Sequence, residues 1–167
     1  ACYWENDKTG REDLHTTSFS QAYAIYVDDG GTVYTAGRTF DTQLLGCYWV
    51  GTNPKEDVSS ATGTADSEAL AITGDGADVY VGGYYENVSG EDVACYWVVG
   101  TDEPVELYNE STSSARVLGI EEYLGTVYAS GYVDEGSKAA AYWKGGNFVD
   151  LTTGLVSEGK GIFLPDN

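Results

Sequence analysis

Cys47-Tyr48-Trp49 returns as Cys95-Tyr96-Trp97, and the same place earlier and later in the chain reads Cys2-Tyr3-Trp4 and Ala141-Tyr142-Trp143. These four tryptophans, all that the chain contains, stand 45, 48 and 46 residues apart. A period of that size marks an architecture built by repeating one supersecondary unit, each unit burying an apolar face on the next.

Three further pieces recur between one Tyr-Trp and the next. A carboxylate followed by an aliphatic residue stands at Asp13-Leu14, Asp57-Val58, Glu106-Leu107 and Asp150-Leu151. A small residue followed by Ile stands at Ala24-Ile25, Ala71-Ile72, Gly119-Ile120 and Gly161-Ile162. The third piece is Val-Tyr running into a glycine, as in Val33-Tyr34-Thr35-Ala36-Gly37, and it occurs again at residues 79–83 and 127–131. Alternation within pieces such as Ala22-Tyr23-Ala24-Ile25-Tyr26-Val27 is strand-like. The connections Asp28-Asp29-Gly30-Gly31 and Gly74-Asp75-Gly76-Ala77 supply the positive φ values of tight hairpins. No long apolar stripe of helical period is present, so the chain reads as all-β.

Four strands in a unit of about 46 residues describe the four-stranded antiparallel blade of a β-propeller, with about 3.5 repeats in this chain. Small residues suit the crowded axis, which puts the Ala-Ile or Gly-Ile strand innermost. The Val-Tyr strand is then second, the Cys-Tyr-Trp strand third and the carboxylate-aliphatic strand outermost. The expected division is a partial blade over 1–19, blades over about 20–65, 66–112 and 113–155, and a partial blade over 156–167. Trp4, Trp49, Trp97 and Trp143 are the structural signature of the blades. In the third strand Cys95 and Trp97 share one face and Tyr96 takes the other, so both faces carry bulk for burial between blades. Cys2, Cys47 and Cys95 stand at one repeat position, a whole unit apart, too far for bridging, and are expected to be buried and unbridged.

The stretch Ala22-Tyr23-Ala24-Ile25-Tyr26-Val27-Asp28-Asp29-Gly30-Gly31-Thr32-Val33-Tyr34-Thr35-Ala36-Gly37 resembles the bacterial β-propeller repeat often found in exported proteins. The likeness returns with departures at 69–83 and more loosely at 117–131, where Glu121-Glu122-Tyr123-Leu124-Gly125 replaces the Asp-Gly turn. What the resemblance implies is a fold and a secreted or cell-surface setting, without catalytic residues.

Twenty-seven acidic against eight basic residues give a net charge of −19, which repels the phosphate backbone of nucleic acid and acidic membrane surfaces. No apolar run reaches the roughly 18 residues of a membrane helix, so no membrane insertion is expected. The single histidine, His15, belongs to one repeat alone, and no Cys-x-x-Cys pair is present, so neither a metal nor another cofactor is expected. Asp28, Asp29, Asp75, Glu121 and Glu122 gather at equivalent turns, but the turns are too short and too unlike one another for a calcium loop. No catalytic constellation emerges, and the expectation is that the protein is not an enzyme.

Tyr84, Tyr85 and Tyr132 follow the glycine of the second strand, where a rim position makes them candidate stacking surfaces for a glycan; the plainer reading is packing between blades. Asn87-Val88-Ser89 and Asn109-Glu110-Ser111 fit the N-glycosylation acceptor pattern, which places Asn87 and Asn109 as candidate modification sites.

The chain has no Met and begins at Ala1, so a processed product or an excerpt is expected. It begins and ends inside a blade, and three arrangements follow. They are a four-bladed ring with an imperfect closing blade, a piece of a longer propeller, and an assembly in which one chain completes its neighbour's blade. The expected role is structural or interactive, with a second copy or another strand-completing protein as partner. A carbohydrate-binding propeller is the alternative.

Overall fold

A computed structural model describes residues 1–5, 10–14, 19–40, 42–58, 65–101, 103–151 and 156–164. They form fourteen strands and no helix. β1 (Cys2–Glu5) and β2 (Gly10–Asp13) make a two-stranded antiparallel sheet. Three four-stranded antiparallel sheets follow, each with its strands side by side in chain order. The first holds β3 (Phe19–Val27), β4 (Val33–Phe40), β5 (Leu44–Val50) and β6 (Glu56–Asp57). The second holds β7 (Ser67–Gly74), β8 (Val79–Glu86), β9 (Asp92–Val98) and β10 (Val105–Tyr108). The third holds β11 (Ser114–Tyr123), β12 (Thr126–Asp134), β13 (Lys138–Lys144) and β14 (Asn147–Asp150). The arrangement is that of propeller blades, and the Ile, Val-Tyr, Tyr-Trp and carboxylate pieces are first, second, third and fourth strand as expected. First strands of adjacent sheets touch, β3 with β7 and β7 with β11.

Local chemistry sets each hairpin. The Asp28 carboxylate accepts the Thr32 amide at 2.7 Å, and Asp75 accepts the Ala77 and Asp78 amides at 2.9 and 2.8 Å. Both carboxyls are thereby held below the ordinary carboxylate range. The third blade uses a two-residue turn instead, Leu124-Gly125, with φ of 52° and 78°. Positive φ at both central residues is the type I′ geometry that matches strand twist, and placing Leu there costs about 1 kcal/mol.

One irregularity recurs in all three complete blades. The pairing of first with second strand slips by one residue between Ala22 and Ala24, between Ala69 and Ala71, and between Val117 and Gly119. Each slip is a β-bulge, an extra residue that bends the strand and sharpens its twist. Opposite stand Gly37, Gly83 and Gly131, the glycines that end the Val-Tyr piece. A Cβ at any of them would overlap the carbonyl oxygen of Gln21, Glu68 or Arg116 respectively. These glycines are required for close approach of two backbones rather than for an unusual φ.

Three apolar clusters hold the blades together, and each joins neighbours. Trp49 and Cys47 share one with Tyr3 and Leu14 of the preceding partial blade. Trp97 and Cys95 share the next with Val58, Ala36 and Ile72. Trp143 and Ala141 share the third with Leu107, Ala71 and Ile120. Each complete blade's tryptophan is thus buried backwards, beside the aliphatic residue that follows the fourth-strand carboxylate of the blade before.

The last residues depart from expectation in form but not in place. Residues 156–164 are not a regular strand, yet they run along the third blade where a next blade's first strand would lie. The Ser157 amide donates to Lys138 O at 3.0 Å, and the Gly159 amide to Gly131 O at 2.8 Å. Ala140 N donates to Ser157 Oγ at 3.2 Å, as Gly46 N does to Ser67 Oγ at 3.0 Å two interfaces earlier. Among the described residues no strand pairs with this segment, and a segment without a ladder does not hold regular strand geometry.

Gly83→Ala is expected to lower stability by about 3 kcal/mol, because the added methyl has backbone rather than side chain in its way. Urea denaturation followed by far-UV circular dichroism measures it; an unchanged midpoint contradicts the close approach.

Candidate functional site

Adjacent blades meet at one end of their strands through a chain of cations, carboxylates and tyrosines. Gln21, Glu68, Arg116 and Glu158 occupy the same place on successive first strands, the last of them on the 156–164 segment. Arg38, Tyr84 and Tyr132 follow the close-approach glycines of successive second strands. Arg38 Nε donates to Gln21 Oε1 at 2.8 Å, and Nη1 reaches across the interface to Glu68 Oε1 at 2.6 Å. Tyr84 Oη donates to the same Glu68 oxygen at 3.1 Å. The Arg116 guanidinium lies 3.9 Å from the centre of the Tyr84 ring and donates through Nε to Asp92 Oδ2 at 2.6 Å. Lys138 Nζ lies 4.2 Å from the Tyr132 ring centre and donates to Glu158 Oε1 at 2.8 Å.

Candidate tyrosines therefore stand between blades rather than at an open rim. Tyr84, Tyr85 and Tyr132 are 4%, 2% and 6% exposed. Burial pushes the phenols of all three up, and Tyr85 donates to Glu106 as well. Cationic side chains of neighbouring strands cover the Tyr84 and Tyr132 rings, so the rings stack on protein rather than facing solvent. Their burial matches the plainer reading, packing between blades. Arg38, Glu68, Asp92 and Arg116 were not legible as a set, because the repeat carries a different residue type at each equivalent position.

Other candidates fall as follows. Asn87 is half-buried and its Oδ1 accepts the Ser89 and Glu91 amides at 2.8 and 3.1 Å, which makes it the acceptor of its own turn. Asn109 is exposed, and its Nδ2 donates to Glu106 Oε2 at 2.9 Å. The turn acids Asp28 and Asp75 serve their hairpins, and among the described residues no group of three acidic, Cys or His side chains is placed to hold a metal. His15 lies outside the described residues. All three cysteines are free; Cys47 and Cys95 are fully buried, and burial pushes the Cys47 thiol up to about 12. Cys2 is half-buried.

Apolar surface lies open at the two ends. Trp49, Trp97 and Trp143 are 0 to 2% exposed, whereas Trp4 is 60% exposed. Ile72 and Ile120 are 9% and 6% exposed, whereas Ile25 at the same place in the first complete blade is 52% exposed. A cleft of about 310 Å³ separates the partial blade from β3, lined by Cys2, Tyr3, Trp4, Tyr23, Ala24 and Ile25 among others. Among the described residues, only β1 and β2 belong to the partial blade beside it. A second cleft, about 390 Å³, opens between the outer strands of the first two complete blades and includes Tyr48, Glu56, Asp57, Trp97 and Thr101 in its wall.

No protein-family model matches the chain, and no curated protein matches it by sequence. Among solved structures, a fucose lectin from Kordia zhangzhouensis in complex with methyl-fucoside is similar, with a TM-score of 0.51 and 16% identity. The match covers 82% of this chain and 100% of that one. At such identity the likeness is one of fold, and it agrees with the all-β blade arrangement.

Two measurements examine the polar interface. Glu68→Ala removes the acceptor shared by Arg38 Nη1 and the Tyr84 hydroxyl and is expected to cost about 3 kcal/mol in urea denaturation. A loss within about 0.5 kcal/mol would mark an exposed pair instead. The Lys138 hydrogen bond holds the Glu158 carboxyl below its ordinary range. Its contribution is therefore present above that range and lost as pH falls through the lowered value. Protection of the Ser157 and Gly159 amides, taken as the exchange rate relative to the intrinsic rate at each pH, is expected to fall on acidification more than protection within β12.

Proposed function

We propose that this chain is a non-enzymatic β-propeller repeat protein of a secreted or cell-surface setting, with a structural or protein-interaction role exercised at its unfinished terminal blades. One observation carries the reading: β1–β2 forms two strands of a four-strand pattern and faces a cleft where the other two would lie. An open strand edge beside exposed apolar side chains is what strand addition uses, with backbone hydrogen bonds for affinity and side-chain pockets for specificity. The likeness of residues 22–37 to an exported bacterial repeat supports the setting. The net charge of −19 agrees with it and disfavours nucleic acid as a partner. The carboxylates at the blade interface serve turns and ion pairs, which favours a scaffold over catalysis. Self-association by completing blades between chains is the sharpest form of this reading.

Glycan binding is the second reading, and the cleft beside Tyr48 favours it. An aromatic side chain with two carboxylates, Glu56 and Asp57, offers a sugar both a stacking face and hydrogen-bond acceptors. The similar fucose lectin was solved with methyl-fucoside.

A labelled synthetic hairpin of residues 19–40, the first and second strands of a blade, probes the open place beside β1 by fluorescence anisotropy. Saturable binding is expected, lost with Ala36→Asp in the hairpin or Ile25→Asp in the chain. No binding by the hairpin, together with glycan-array signals abolished by Tyr48→Ala, would replace the first reading with the second.

A further inference from the structure

Every finished junction between blades is made from the same two parts. Leu14 is buried in one cluster with Trp49, Val58 with Trp97, and Leu107 with Trp143. None of these six side chains is more than 9% exposed. One of each part is left over. Leu151 follows Asp150 as Leu14 follows Asp13, and it is 56% exposed at one end of the blade series. Trp4 is 60% exposed at the other end. The inner side repeats this pattern, because Ile25 lacks the preceding blade that buries Ile72 and Ile120. The 156–164 segment, for its part, already occupies the first-strand place of a blade beyond the third.

We propose that a second copy of this chain completes the junction head to tail, with Trp4 of one copy buried against Leu151 of the next. β1 and β2 of the first copy then lie in one composite blade with the 156–164 segment of the second. The proposal rests on the reading of the terminal blades as interaction surfaces and names their partner. The argument for a second copy is continuity with a junction the chain makes three times: the exposed parts are the two halves of that junction, and one chain presents both. Such a contact is heterologous, so its rotation decides whether copies close into a ring or run on. Both copies carry the charge of −19, so the apolar insertion works against repulsion that salt screens. Association therefore strengthens as salt rises, the reverse of an interface held by ion pairs.

Sedimentation velocity of the intact chain over a range of concentrations, at low and high salt, tests this together with Trp4→Glu and Leu151→Glu. Both positions are exposed in the single chain, so circular dichroism is expected to be unchanged in either variant. Each substitution should weaken self-association by about a hundredfold or more, as loss of a central tryptophan anchor does. Mixing the two variants should restore one-to-one pairs and nothing larger, because one retains the Leu151 end and the other the Trp4 end. A chain that stays monomeric at every concentration, association that survives both substitutions, or a mixture that fails to pair would each overturn the proposal. In those cases hairpin binding at Ile25 separates the outcomes: if it persists, the terminal blade is an interaction surface for a different partner; if it fails too, the broader reading falls with the proposal.

Discussion

Backward burial of tryptophan is the interaction on which the rest of this molecule depends. A single four-stranded blade has apolar side chains on both faces and cannot cover either by itself, so each blade folds productively only against a neighbour. The tryptophan supplies the largest share of that cover. Sinking such a ring beside the leucine or valine of the blade before is worth about 5 kcal/mol of transfer free energy. The indole N–H groups of Trp49 and Trp143 find no acceptor among the described residues. Leaving such a donor dry costs about 1–3 kcal/mol, so the apolar term prevails.

Burial of that ring fixes where polar groups can go. With the blade middles filled by Cys47, Cys95 or Ala141 beside each tryptophan, charged side chains are driven to the strand ends. There Arg38, Glu68, Tyr84, Asp92 and Arg116 satisfy one another across interfaces. The bulges opposite Gly37, Gly83 and Gly131 belong to the same economy of space. Each brings first and second strands close enough to leave room for no side chain on the second strand at that point, and the residue that follows the glycine reaches the neighbouring blade.

Much of this was legible in the sequence because a repeat displays its rules several times. The Tyr-Trp spacing, the order of strands and the unbridged cysteines all follow from aligning four copies. Burial of Tyr84, Tyr85 and Tyr132 between blades was the plainer reading, but the partners that cover them did not follow, for a physical reason. Periodicity says where a residue stands along its own strand, but the covering cation changes from copy to copy, Arg116 of the next blade over Tyr84 and Lys138 of the same blade over Tyr132. A hydrogen-bonding role shared by unlike side chains leaves no pattern to align. The bulges were hidden for a related reason, since one extra residue is invisible until two strands are laid side by side. The match between Trp4 and Leu151 needed burial values, which separate parts already used from parts still free.

Junctions of one kind, repeated but not closed, give the molecule an inside and an outside along its own chain. β7–β10 is held on both faces, whereas β3–β6 and β11–β14 each have one neighbour that is only a fragment. Stability is therefore graded along the chain, lowest where the fragments lie and highest in the middle sheet. A protease acting on the folded single chain meets the fragments first and works inward from both ends. Its progress is set by how often a terminal blade lifts from the centre rather than by where suitable peptide bonds occur.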